Sequence, residues 1–171
     1  MCSSDLINDV LKKLKMNLDD VEVVGVGVGP GSWTGSRVSV VTAYGLMAGL
    51  NNVRVVPFNT FELLSYNDND KTGKIYISKA YANFVYASVE GSEPIIITYD
   101  ELKEKYSLFK RIGFESFVDE TMVKKADIKS VVEGKVEKGE FVKIEEIEPI
   151  YLRLSQAEYQ YMEKHKGDCC G

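Results

Sequence analysis

The chain has 171 residues, 44% hydrophobic and 27% charged, with 21 basic and 26 acidic side chains giving a net charge of −5. This is enough apolar material for a core in one or two small domains, and an acidic balance without a basic stripe argues against a protein that grips nucleic acid unaided. No apolar run reaches the roughly 20 residues of a membrane span, and the start lacks the basic and apolar regions of a signal peptide, so the cytoplasm is the expected compartment.

In chain order, the first predicted helix runs from Ser4 to Met16. Ser3 or Ser4 caps it, and Asp5 suits the positive end of its dipole. Leu6, Ile7, Val10, Leu11 and Leu14 recur at spacings of three and four and form one apolar face, expected to turn mainly toward the core with part left for a partner. Lys12, Lys13 and Lys15, like Lys124 and Lys125, read as solvated faces.

Val21 to Val28 reads as a buried strand, Gly29 to Gly35 as a tight loop and Ser36 to Leu50 as a helix. Glycines 29, 31 and 35 permit left-handed backbone and close approach, while Pro30 stiffens the turn. A loop feeding a helix N-terminus offers backbone amides to an anion. Here, however, the lysine and hydroxyl of a nucleotide P-loop are absent, and no acidic residue follows near Val56 as a dinucleotide site requires, so a structural turn is the leading reading. The strand is apolar on both faces and needs cover for its edge. Within the helix, Thr42, Gly45, Ala48 and Gly49 make one side nearly smooth, flanked by Val38, Val41 and Tyr44, which predicts close approach of another helix such as the first.

The polar run Asn67 to Gly73 reads as a linker, dividing the chain into units 1–66 and 73–171. Strands follow at Lys74 to Ser78, Asn83 to Val89 and Ile95 to Thr98, then a helix from Tyr99 to Tyr106, a strand near Lys110 to Phe114 and a helical stretch around Met122 to Glu137. No catalytic constellation stands out. The single histidine, His165, sits in the C-terminal tail, the acidic pairs Asp19-Asp20 and Glu145-Glu146 read as solvated, and Cys2, Cys169 and Cys170 lack zinc-ligand spacing and read as free thiols.

The stretch Val24-Gly25-Val26-Gly27-Val28-Gly29-Pro30-Gly31-Ser32-Trp33-Thr34-Gly35-Ser36-Arg37 resembles the signature of the TsaB (YeaZ) family, Gly-Pro-Gly-Ser-aromatic-Thr-Gly-x-Arg after a hydrophobic strand. Ser36 and Ser39 depart from it, standing where leucine and often glycine are found. The resemblance extends to the first helix, to Val53–Leu64 with Thr60, Phe61 and Glu62, and to the closing Pro149-Ile150-Tyr151-Leu152-Arg153. It is weakest at Lys79 to Phe84, where the family's charged strand has no counterpart.

This resemblance implies an α/β fold of the actin, sugar-kinase and heat-shock ATPase type, ribonuclease H-like. The first lobe is expected to be shortened at the N-terminus by a hairpin that carries an Asp, with a smaller α/β second lobe whose C-terminal segment returns to the first. It also implies a non-catalytic accessory protein in the transfer of a threonylcarbamoyl group to the tRNA adenosine next to the anticodon. The partner TsaD, or a second copy, would be met by Leu6, Ile7, Val10, Leu11, Leu14, Val38, Val41, Thr42, Gly45, Ala48 and Gly49. The signature loop comprises Gly29, Pro30, Gly31, Ser32, Trp33, Thr34, Gly35 and Arg37. ATP and magnesium are expected on the partners TsaD and TsaE rather than on this chain, tRNA only indirectly, and no membrane. The competing expectations are an ATPase or phosphotransferase of the same superfamily and a homodimeric interaction module.

Overall fold

A computed structural model describes residues 3–48, 50, 53–66, 68–113, 120–121 and 127–152, with residues 3, 4, 33, 120 and 121 as backbone alone. Cys2, Gly49, Lys124, Lys125, Arg153, His165, Cys169 and Cys170 lie outside the described residues. The helices are α1 (Ser3–Leu14), α2 (Trp33–Met47), α3 (Thr60–Ser65), α4 (Tyr99–Lys105) and α5 (Ile128–Glu137). The strands are β1 (Val23–Gly29), β2 (Arg54–Asn59), β3 (Lys74–Lys79), β4 (Phe84–Val89), β5 (Ile95–Thr98), β6 (Lys110–Gly113) and β7 (Glu120–Thr121).

β1, α2 and β2 form a crossover unit in which β1 pairs in parallel with β2, Val24 opposite Val55 and Val26 opposite Pro57. The alternation of valine and glycine along β1 has a direct structural meaning, because successive residues of a strand face opposite sides. Val26 and Val28 point to α2 and form a buried cluster with Val40, Ala43, Met47, Val55 and Ile147. The glycines face the other way, where an added Cβ at Gly25 would lie 2.5 Å from Val132 of α5 and one at Gly27 would lie 3.5 Å from the Phe58 ring. One face of the strand supplies bulk, and the other supplies clearance for α5 and Phe58.

The second sheet has the order β5-β4-β3-β6-β7, with β3 antiparallel to β4 and parallel to β6. Its central strands β3 and β4 are covered on both faces. Tyr76, Tyr86 and Ile112 pack with Phe61 and Leu64 of α3, whereas Ile75, Ile77, Val85 and Ala87 pack with Leu102 of α4. The short helix α3 thus follows directly from β2 and lies on the second sheet, fixed at its start by Asn59, whose side chain accepts from the N–H groups of Phe61 and Glu62 at 2.8 Å each. The C-terminal segment runs back over both sheets. Val142 bridges Val55 on β2, Ile147 enters the first cluster, the Ile150 N–H donates to the Val28 carbonyl at 2.8 Å, and Leu152 packs on the second sheet.

The structure corrects several boundaries. α2 starts at Trp33 rather than Ser36, because Ser32 is an N-cap whose hydroxyl accepts from the Gly35 N–H at 3.0 Å, converting half of the expected loop into helix. α5 begins at Ile128, capped by the Asp127 side chain, which accepts from the Lys129 N–H; the expected start at Met122 lies outside the described residues. The short β7 has no forerunner in the sequence pattern. The apolar stripe of α1 faces solvent more than core, with Leu6, Val10 and Leu14 all more than half exposed.

Candidate functional site

The glycine-rich loop is held from three sides. Gly29 has φ +94 and is followed by a cis bond to Pro30; a side chain at Gly29 would lie 2.7 Å from the Ser36 hydroxyl, so glycine is needed there for both backbone and space. The Pro30 carbonyl accepts from the Thr60 hydroxyl at 2.8 Å, which joins the loop to the start of α3. Arg37 Nε donates to the Tyr151 hydroxyl at 3.0 Å, and its guanidinium lies 5.6 Å from the centre of that ring. With the Ile150 to Val28 bond, these contacts bring the signature stretch and the closing Pro-x-Tyr-Leu segment together. Nothing in the linear pattern announces that contact, since 114 residues separate Arg37 from Tyr151.

α2 presents two different surfaces. Val40, Ala43 and Met47 are buried against β1 and β2, and the opposite side carries Val38, Val41 and Tyr44, all exposed, with Val41 at 68%. Gly45 and Ala48 are exposed beside them, while Thr42 is half-buried. Among the described residues, no atom beyond its own helix backbone lies within 4 Å of a Cβ placed on Gly45, so α2 is open at that position among them. The expected packing of that side against α1 is not found: the helix buries the side bearing Val40 and Ala43, which turns Gly45 outward.

α1 lies alongside with Leu6, Val10 and Leu14 exposed and Ile7 and Leu11 half-buried. Between the two helices, over β1, is a shallow apolar groove of about 380 Å³ lined among others by Ile7, Val24, Val38, Thr42 and Leu46. Among the described residues β1 pairs in a sheet with β2 alone. Of the sequence-predicted residues, then, Leu6, Val10, Leu14, Val38, Val41, Gly45 and Ala48 are exposed on α1 and α2, whereas Ile7, Leu11 and Thr42 are half-buried and Gly49 is not described.

The ionised groups with strong local partners lie elsewhere. Asp68 accepts from Lys74 Nζ at 2.5 Å and from the Tyr76 hydroxyl at 2.8 Å. Burial opposes its ionisation, but the bonds from Lys74 and Tyr76 and the Lys74 charge outweigh burial and hold the carboxyl below its ordinary value. Burial, and then the Asp68 carboxylate, push the Tyr76 hydroxyl well above the usual phenol range. Lys135 of α5 reaches the Pro57 carbonyl at 2.9 Å, Glu62 at 2.7 Å and Glu140 at 3.6 Å, tying α5 to β2 and α3. The expected linker is therefore pinned to β3. Sequence spacing could not have shown either network. Among the described residues no group of three or more His, Cys, Asp or Glu side chains is placed to hold a metal ion, and no helix is long and apolar enough to cross a membrane.

Against known proteins, residues 4–97 match the family model described as "TsaD: tRNA N6-adenosine threonylcarbamoyltransferase", a match that takes in α1, the glycine-rich loop and α2. The chain belongs to this family. A curated relative, the tRNA threonylcarbamoyladenosine biosynthesis protein TsaB of Buchnera aphidicola subsp. Baizongia pistaciae (strain Bp), is 25% identical over 119 residues, 62% of this chain and 54% of the relative. The chain thus spans about half the length of the curated relative it matches. Two solved structures share the fold. One, a crystal structure of an uncharacterized protein with similarity to peptidase YeaZ from Pseudomonas aeruginosa, superposes with a TM-score of 0.64 at 18% identity, covering 87% of this chain and 82% of the other. The second, YeaZ from Pseudomonas aeruginosa, gives a TM-score of 0.62 at 17% identity, covering 86% of this chain and 81% of the other. The α/β architecture is accordingly the actin-like one of TsaB and TsaD.

Proposed function

We propose that this TsaB-family chain is a non-catalytic accessory component in threonylcarbamoyl transfer to the tRNA adenosine next to the anticodon, and that it acts by binding TsaD through α1 and α2. The observation that carries this reading is the exposed apolar side chains of the two helices: Leu6, Val10, Leu14, Val38 and Val41 stand in solvent on α1 and α2, whose residues line an apolar groove over β1. Scattered exposed apolar residues are ordinary, but several on two helices that share an apolar groove fit an interaction surface. Gly45 adds close approach to the apolar contact, because a partner helix can reach the α2 backbone there.

On this reading the chain contributes shape rather than chemistry. TsaD holds the metal and the reacting groups, TsaE joins with ATP and magnesium, and the acidic net charge of −5 leaves tRNA to the partners. Units 1–66 and 73–171 act as two lobes, with the C-terminal segment fastening the glycine-rich loop beneath α2 so that the docking helix has a rigid base. The test is light scattering of the purified chain alone and after mixing with TsaD from the same source. A mixed complex of defined mass is expected. A folded chain that stays unassociated with TsaD, whether as a monomer or as a homodimer, would refute the reading, and tight nucleotide binding by the chain alone would favour the superfamily ATPase instead.

A further inference from the structure

A second feature lies away from the docking face, where α3, the segment Asp68 to Lys71, α5 and the turn after β4 meet. Two adjoining cavities of about 330 and 180 Å³ open there, and both are lined by Glu62, Ser65 and Lys71. Ser65 is only 5% exposed. Among the described residues its hydroxyl has no hydrogen-bond partner, which is costly for a buried polar group and uncommon in folded proteins. Lys71 is half-buried and has no carboxylate partner among the described residues. Its aliphatic stem runs across Gly91, where an added Cβ would lie 2.7 Å from Lys71 Cδ and 3.1 Å from its Nζ, so the glycine turn holds the ammonium group at the junction of the cavities.

The neighbouring acids are committed elsewhere. Glu62 is bound by Lys135 at 2.7 Å and by the Asn59 N–H at 2.6 Å, Glu140 faces Lys135 at 3.6 Å, and Asp68 is bound by Lys74 and Tyr76. Glu93 lines the smaller cavity but is exposed, and Lys138 at the rim of the larger one carries no ion pair. Among the described residues, the Ser65 hydroxyl and the Lys71 ammonium are left without such a partner on the wall that the two cavities share.

We propose that this cleft binds a small organic oxyanion, a carboxylate or a phosphate monoester, whose oxygens accept from the Ser65 hydroxyl and the Lys71 ammonium. Charge-assisted bonds of this kind are the strong ones, and the cavity volumes suit a small metabolite. The bound Glu62 carboxylate on the same wall accepts from a hydroxyl or amine of the ligand.

The experiment is an NMR titration of the isotope-labelled chain with inorganic phosphate and, separately, with acetate at constant ionic strength. Saturable shifts at Ser65, Lys71 and Gly91 with at least one anion are expected, and which anion saturates at the lower concentration tells phosphate from carboxylate recognition. Lys71→Gln should raise the dissociation constant about tenfold, as loss of one charge-assisted bond implies. Ser65→Ala should weaken binding while leaving the melting temperature of the free chain unchanged or higher, since the hydroxyl it removes is unsatisfied. Absence of saturable shifts with both anions, or affinity unchanged in a folded Lys71→Gln chain, would overturn the proposal.

Discussion

Replacing Gly45 by leucine separates the two roles that a helix surface can have, because the docking reading requires stability and binding to move in opposite directions. Gly45 sits in the last turn of α2, exposed, and among the described residues nothing beyond its own helix backbone lies within 4 Å of an added Cβ. Glycine in a helix interior costs up to about 1 kcal/mol against a good helix former, so the folded chain should gain about 0.5–1 kcal/mol, less the discount for a position near the helix end. For a chain of this length that corresponds to a rise of about 1–4 °C in Tm. A partner helix resting on the α2 backbone at Gly45 would meet four new carbon atoms, and overpacking of a close contact costs about 1–3 kcal/mol, or roughly 5- to 150-fold in affinity. Thermal denaturation followed by circular dichroism reads the first quantity, and titration of TsaD by calorimetry reads the second. A lower Tm would mean that the side of α2 taken as open is packed, and unchanged affinity for TsaD would remove Gly45 from the interface. Either result refutes the reasoning.

Two further substitutions probe the frame behind that face. Asp68→Asn removes the charge facing Lys74, a pair whose side chains are 15% and 23% exposed, and should cost about 1–3 kcal/mol at neutral pH by urea denaturation. Because the Asp68 carboxyl is held below its ordinary value of 3.8 in the folded chain, its contribution is present above that value and is lost as pH falls through the folded value; the gap between wild type and variant should therefore close under acid conditions, and a gap independent of pH would contradict the assignment. Gly25→Ala places a methyl 2.5 Å from Val132 Cγ2 and should destabilise by about 1–3 kcal/mol, with Val132→Ala in the same chain recovering part of the loss. Additive effects of the two changes would show that α5 does not press on β1 at that point.

The unit from β1 to α2 was legible because its determinants are local: a valine run, a Gly-Pro-Gly turn and a long apolar helix lie consecutively in the chain. The misplaced start of α2 has an equally local cause, since Trp33, Thr34 and Gly35 read as loop unless Ser32 is recognised as the cap. Periodicity also identified the apolar face of α1, but periodicity states that a face is apolar and not what covers it, which is why Leu6, Val10 and Leu14 were expected mainly in the core. The smooth side of α2 was legible for the same reason, and its orientation was not. Contacts between distant positions, such as Lys135 with Glu62 or Arg37 with Tyr151, leave no mark on spacing at all. Nor did the cleft at Ser65 and Lys71, because burial of a hydroxyl without a partner is a property of the assembled elements.

The placement of Ile147 bears on the order in which the protein comes into being. The cluster of Val26, Val28, Val40, Ala43, Met47 and Val55 is complete in sequence once β2 has been synthesised, but its remaining buried member arrives some ninety residues later, and Ile150 is the residue whose N–H donates to the Val28 carbonyl. On the ribosome, where N-terminal segments fold first, the valine strand and its helix must therefore wait with an unfinished wall until the whole second sheet has emerged. The segment after α5 closes a cluster whose other members lie before β3, so the first core is finished only by residues made after those of the second sheet.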